Sequence, residues 1–342
     1  MNSKINLQKT FNNMPAEYQS EFNHIITKYP FKNTNYYNSL IKNEDLPNDP
    51  IFSQVYPNKK ELQQSTIYTH PDPLNEDKQM PVANLIHRYK DRAVLLTTNA
   101  CAVHCRFCLR KRKWNSEQEI TKLTDKELSK VCEYLNTRSE IQEILISGGD
   151  PLMLSNDELG KIITKLSNVK SIKMLRLGTR IPVVSPSRID TELVKILSST
   201  NGLWVATHFN HPNELTKESL GACSLLISSG VPVINQTVLL KGINDDADIL
   251  AKLFTELGEN RIKPHYLFHI DPVEGNEHFA TGIEKGIELL DKLRNRISSI
   301  LTPVFAIDLP EGGGKVHLNP DYKTEYQSYK GINGEIFDYP TP

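Results

Sequence analysis

The stretch AVLLTTNACAVHCRFCLRKRKW, residues 93–114, decides how the chain is read. It opens with a short continuous apolar run, AVLLTT (93–98), the pattern of a strand buried on both faces. The loop that follows carries Cys101, Cys105 and Cys108 in a C-x3-C-x2-C spacing. Three thiolates on one loop can hold three irons of a [4Fe–4S] cube, for which four ligands are usual. The iron without a protein ligand then keeps an open coordination position for a small molecule, as catalytic metal sites do. A zinc site completed by His104 or by a distant ligand is the alternative, although zinc motifs rarely use this spacing. Cys132 and Cys223 fall inside helical patterns and read as small buried apolar residues.

Outward from this loop a regular beat appears. Apolar runs recur at EILISG (143–148), IKMLRLG (172–178), LWVATHF (203–209), VPVINQTVLL (231–240), PHYLFHI (264–270) and PVFAI (303–307). Helical patterns lie between them, with a Thr cap before 125–136, Ser followed by Asp and Glu at 155–158, and a terminal Gly at 230. After the first unit the strands return about every 30 residues, the length of a βα unit. Repeated parallel units without a dinucleotide fingerprint predict an α/β fold, a partial (β/α) TIM-like barrel, with a doubly wound open sheet as runner-up. Either fold gathers its ligands at the C-terminal ends of the strands. Residues 1–90 are rich in Asn, Gln, Lys and Pro, and read as a helical extension ending in a connector, with a long loop at 67–81. The barrel is expected over 91–310 and a C-terminal segment over 311–342.

Composition removes several function classes. With 40 Lys+Arg against 41 Asp+Glu, broad electrostatic capture of nucleic acid or of a lipid surface is not expected. No apolar run approaches the roughly 20 residues of a membrane span, and MNSKINLQKTFNNMPAEYQ (1–19) has no apolar leader core. Five cysteines in 342 residues are too few for a disulfide scaffold, so a cytoplasmic, reducing compartment is the simplest expectation.

Two glycine motifs complete the reading. LISGGDPL (145–152) places Ser147, Gly148, Gly149 and Asp150 one unit after the cysteine loop; alone it could be a tight strand-to-helix turn. DLPEGGGK (308–315) ends in Lys315, and a lysine on a flexible, close-approach backbone suits imine formation with an aldehyde cofactor such as pyridoxal 5′-phosphate (PLP). A surface loop with a solvated lysine is the plain alternative.

The cysteine spacing resembles that of the radical S-adenosylmethionine (SAM) enzymes. Further, the order of cysteine loop, SGGD, THFNHPNE (207–214), NQTVLLKGIND (235–245), DPVEGNEHF (271–279) and DLPEGGGK closely resembles the lysine 2,3-aminomutase family, from about residue 71 to about 325. The resemblance implies a radical SAM barrel carrying a [4Fe–4S] cluster on Cys101, Cys105 and Cys108, with SAM on its open iron. Ser147, Gly148, Gly149 and Asp150 would lie near the SAM amino group and Gln236 near its ribose. Lys315 would carry PLP, with Arg88, Tyr89 and Arg92 around the phosphate and ring. Arg110 would bind the substrate carboxylate, and Asp271 and Asp308 the distant ammonium of L-lysine, whose amino group would move from C2 to C3. A small-molecule amino-acid substrate, an electron donor such as flavodoxin or ferredoxin, and a homo-oligomer follow from the same resemblance. Phe107, Phe268, His269 and Glu311 depart from the family pattern. The same migration on arginine or ornithine, an iron–sulfur enzyme without PLP, and a non-catalytic metal-binding module remain as alternatives.

Overall fold

The computed structural model describes residues 14, 16–42, 46–65, 69–114, 120–325, 327–332 and 334–339. Most of the stretch read for a leader, and residues 67–68 of the connector loop, lie outside them.

Nine strands form one sheet: β1 (Leu85–Tyr89), β2 (Arg92–Leu96), β3 (Glu143–Ser147), β4 (Met174–Gly178), β5 (Leu203–Thr207), β6 (Val233–Leu239), β7 (Lys263–His269), β8 (Val304–Leu309) and β9 (Gly314–Leu318). Their spatial order is their sequence order. Strands β2 to β8 run parallel, and the outer pairs β1–β2 and β8–β9 are antiparallel. A doubly wound sheet must reverse its strand order at a switch point. This one never does, so it is an incomplete barrel. The edges meet without a ladder between them: Lys315 N on β9 donates to the Tyr89 hydroxyl on β1 at 2.8 Å.

The seven apolar runs all become strands, because parallel strands covered by helices are buried on both sides. The capping signals act as read. Thr124 accepts from Glu127 N at the head of Asp125–Asn136, Ser155 does the same for Glu158 N at Asn156–Ser167, and each glutamate returns the bond. These helices pack their apolar stripes, such as Leu159, Ile162, Ile163 and Leu166, onto the sheet core. Cys223 is buried there, whereas Cys132 is only half-buried.

Three features were not anticipated. The HRYKDR segment (87–92) is the β1–β2 hairpin, with Arg88 and Tyr89 on the edge strand β1 and Arg92 opening β2. DLPEGGGK is not a free loop but the tip of the β8–β9 hairpin, with Lys315 directly opposite Asp308 in the ladder. A small exposed antiparallel sheet, Lys323–Glu325, Ser328–Lys330 and Ile336–Asp338, ends the described chain. Among the described residues no helix is long and apolar enough to cross a membrane.

The N-terminal region holds the cysteine loop. Arg106 has no exposed surface; it donates from Nε and Nη2 to the Glu61 carboxylate, the shortest contact being 2.6 Å, and from Nη1 to Pro30 O at 3.1 Å. Lys111 Nζ donates to the same carboxylate at 2.9 Å. Burial alone would raise the Glu61 pKa, but Lys111 and Arg106 outweigh it and hold the carboxyl below its ordinary value. Arg112 and Lys113 pair with Asp72 and Asp77. The basic run before Trp114 is therefore paired with carboxylates of the N-terminal region. Removing Glu61 would leave two buried cations unpaired. Glu61→Ala is expected to destabilise the protein by about 3–5 kcal/mol, read by urea unfolding; a change below about 1 kcal/mol would contradict this assignment.

Candidate active site

The incomplete barrel encloses a cavity of about 1020 Å³. Its wall includes Cys101, Cys105, Cys108, Ser147, Gly148, Gly149, Asp150 and Gln236, and also Arg88, Tyr89, Arg92, Arg110, Asp271, Asp308 and Lys315. Every site residue picked out from the sequence thus faces one space, from segments more than 200 residues apart.

At the cysteine end, backbone fit sets the geometry. Gly149 N donates to Thr98 O at 2.5 Å and Asp150 N to Ala100 O at 2.7 Å. A Cβ on Gly148 would stand 2.3 Å from Thr98 O, and one on Gly149 would stand 2.3 Å from Ala100 O. Gly148 also has φ +141°. Only glycine permits this approach, which locks the segment leading into Cys101. The Asp150 carboxylate accepts from the Thr179 hydroxyl, Arg180 N and Leu152 N, while burial pushes its pKa up to about 6.

The donor set suits an iron–sulfur cube. The cysteines are unpaired thiols, Arg180 Nη1 donates to Cys105 Sγ at 2.9 Å, and Arg110 N donates to Cys108 Sγ at 3.3 Å. Burial and then neighbouring Cys105 push the Cys108 thiol up to about 11, and burial followed by Cys108 lifts Cys101 as well. Such thiols ionise when a metal cation supplies the compensating charge. Among the described residues no group of three or more His, Cys, Asp or Glu is arranged around a single ion. A cube instead distributes one thiolate to each of three irons. His104, the candidate fourth ligand for zinc, is engaged elsewhere: Nδ1 lies 2.9 Å from Pro30 O, and its ring stacks on Trp114 at 4.7 Å.

At the opposite end, Lys315 Nζ lies 2.5 Å from Asp308 Oδ2 and 4.0 Å from the centre of the Phe268 ring. Burial lowers the lysine pKa, with Asp308 opposing it. The Arg92 guanidinium stacks 4.0 Å over Tyr89, and Arg88 donates to Gln79 Oε1 at 2.7 Å and to Leu74 O at 3.1 Å. Asp271 lies just beyond β7 with no salt bridge among the described residues. Burial, then Asp308, pushes its carboxyl up to about 7.

Sequence reading missed the partners of these groups. Arg110 is gripped by Glu76, Nη2 to Oε1 at 2.7 Å and Nε to Oε2 at 3.0 Å, which leaves Nη1 toward Ser147 Oγ at 3.4 Å. Arg176 pairs with Glu143 at 2.5 Å inside the barrel. His208 lines the cavity with its pKa lowered to about 4 by burial, and His211 caps the turn at Pro212 through Asn213 N. Glu143 and Arg176 stand out as charged residues within apolar runs, which is the signal they offered; Glu76 opens a short 3-10 helix, Glu76–Gln79, inside the stretch read as a long loop, and had none.

With this geometry in place, comparison with known proteins is decisive. The Radical SAM superfamily model matches residues 95–254. The L-lysine 2,3-aminomutase of Clostridium subterminale is 42% identical, over 90% of this chain and 74% of that protein. The L-lysine 2,3-aminomutase of Methanococcus maripaludis is 38% identical, over 95% and 75%. The chain belongs to the lysine 2,3-aminomutase family of radical SAM enzymes. It is an isomerase by that membership, and the radical SAM family implies a [4Fe–4S] cluster and SAM. The glutamate 2,3-aminomutase of Clostridioides difficile is also similar, 36% identical over 91% of this chain and 73% of that protein. Family membership therefore does not fix the amino acid.

The raised Asp271 pKa gives a pH test. Its carboxyl moves from 3.8 to about 7 on folding, so the folded state favours the protonated form. The group's contribution to stability falls as pH rises from about 4 to about 7. In cofactor-free protein, Asp271→Asn is expected to gain on the wild type across that window, by on the order of 4 kcal/mol at pH 8. Thermal melts between pH 4 and 8 measure it; a constant difference would refute the assignment.

Proposed function

We propose that this protein is a PLP-dependent radical SAM aminomutase that converts L-lysine into β-lysine by moving its amino group from C2 to C3. The observation that carries the substrate assignment is the pair Asp271 and Asp308 on the ends of neighbouring strands. Two carboxylates facing one cavity are unfavourable without a cation. The ε-ammonium of lysine supplies one, whereas the side-chain carboxylate of glutamate would add a third negative charge.

In this reading Cys101, Cys105 and Cys108 hold the cluster, with Ser147, Gly148, Gly149, Asp150 and Gln236 around SAM. Arg88, Tyr89, Arg92 and Lys315 hold PLP. When bound, the cluster and SAM supply a hydrogen-abstracting radical on one-electron reduction by a donor such as flavodoxin or ferredoxin, and PLP supplies the aldehyde that carries the migrating nitrogen.

The protein's own residues prepare and orient the reactants. Burial favours the neutral Lys315 amine that imine chemistry needs, and Asp308 Oδ2 holds its Nζ by a hydrogen bond. Once Lys315 is engaged, Asp308 is released to join Asp271 at the substrate ammonium. Arg110, held by Glu76, presents Nη1 to the substrate carboxylate. Substrate is thereby fixed at both ends, and the cavity wall keeps water from a reactive radical.

Lys315→Ala is expected to lose the PLP absorbance while keeping the iron–sulfur chromophore; full activity in that variant would end the PLP assignment. Anaerobic assay of the reconstituted protein with lysine, arginine, ornithine and glutamate tests the substrate. β-Lysine is the expected main product by NMR and mass spectrometry, and Asp271→Asn should raise the KM for lysine at least tenfold. Preferential turnover of glutamate would refute the reading.

A further inference from the structure

Arg180 lies two residues beyond β4, and no motif in the sequence marks it. Its side chain reaches the cavity wall although the residue is only 8% exposed. Nη1 donates to Cys105 Sγ at 2.9 Å. Nη2 donates to Gln54 Oε1 at 2.5 Å, Glu214 Oε1 at 2.7 Å and the Tyr37 hydroxyl oxygen at 3.0 Å. The ring of Phe107, inside the cysteine loop, lies 5.2 Å from the guanidinium. Nε is buried without a hydrogen-bond partner among the described residues, so the cation keeps spare donor capacity beside the sulfur.

Nothing here leaves the guanidinium free to turn. Glu214 is itself fixed, with Oε2 accepting from Asn210 N and His211 N, and Tyr37 donates to its Oε1 at 2.6 Å. Tyr37 and Gln54 come from the N-terminal extension, Glu214 from the turn after β5, and Cys105 from the loop after β2. Four separate segments therefore converge to aim one N–H at one cysteine sulfur. A planar guanidinium can bridge a carboxylate and a sulfur at once.

We propose that Arg180 is a positioning residue for the iron–sulfur site: its N–H bond to Cys105 Sγ fixes that ligand and raises the reduction potential of the cluster. The inference rests on the reading that the cysteine loop carries the cluster. On reduction the cluster gains one electron from a low-potential one-electron donor, and no bond forms or breaks in that step. The added negative charge spreads onto the ligand sulfurs, so a cation bonded to one of them favours the reduced state. Hydrogen bonds to the sulfurs and local charge are among the main determinants of such potentials.

The test compares anaerobically reconstituted wild type, Arg180→Gln, Glu214→Gln, the double variant of both and Arg180→Lys. Iron and sulfide contents are measured, and the reduced cluster is followed by electron paramagnetic resonance at set potentials. In Arg180→Gln and in the double variant the ratio of reduced to oxidised cluster at a fixed potential should fall about tenfold, equivalent to about 59 mV for one electron. Glu214→Gln, which keeps the N–H on the sulfur, should show no such fall. The double variant avoids stranding Glu214 as a lone buried charge if Arg180→Gln does not fold. A wild-type ratio in Arg180→Gln or in the double variant overturns the inference. Loss of iron from both, with native circular dichroism, supports it if Arg180→Lys restores the iron content and overturns it if not. A wild type that binds no iron and sulfide would instead remove the underlying cluster reading.

Discussion

A parallel sheet that curls without closing leaves its centre hollow, and the rest of the structure answers to that hollow. In an eight-stranded barrel, layers of branched apolar side chains fill the interior. Here the inward positions of β3, β4 and β9 carry Glu143, Arg176 and Lys315, and a cavity of about 1020 Å³ stays open. Buried charges of this kind persist only when paired. Arg176 is matched by Glu143, Arg110 by Glu76 and Lys315 by Asp308. Asp271 has no such partner, and its raised pKa expresses that deficit. A buried carboxylate without a salt bridge among the described residues gains from an incoming cation.

The legible part of this architecture was the part with a period. Seven apolar runs and their capped helices follow from burial on both faces of a parallel sheet, and they appear as read. β1 and β9 were harder, because LIHRY and GKVHL mix polar and apolar positions as edge strands do. Lys315 shows the difficulty most plainly. Three glycines before a lysine read as a flexible loop, but Asp308 and Lys315 face each other across a hairpin ladder. The cysteines and glycines could be identified because their chemistry constrains spacing along the chain. Glu61, Glu76 and Arg180 could not, since their partners lie 45, 34 and 75 residues away. Pairing over such separations leaves no trace in local composition.

These missed residues change the status of the N-terminal region. Read from composition, it is a polar lead-in to the barrel. In the fold it supplies Tyr37, Gln54, Glu61 and Glu76, each bonded to an arginine beside the cysteine loop. The extension works as a mould for the site rather than as a tether. Its acidic residues Glu61, Asp72, Glu76 and Asp77 also pair with the basic run CLRKRKW, which balances most of that run's charge.

Near-neutral overall charge conceals charges of both signs around one cavity. Arg88, Arg92, Arg110 and Arg180 stand on the same cavity wall as Asp271 and Asp308. A zwitterionic amino acid with a cationic tail matches both signs when it lies across the space. In the proposed reading the carboxylate meets Arg110 and the tail meets the aspartates, so length as well as charge enters recognition. Shortening the tail would leave the ammonium short of one aspartate or pull the carboxylate from Arg110. Reversing its charge would place a third carboxylate beside two that already repel each other. In the proposed reading, discrimination between amino acids by this chain therefore falls on the ends of β7 and β8.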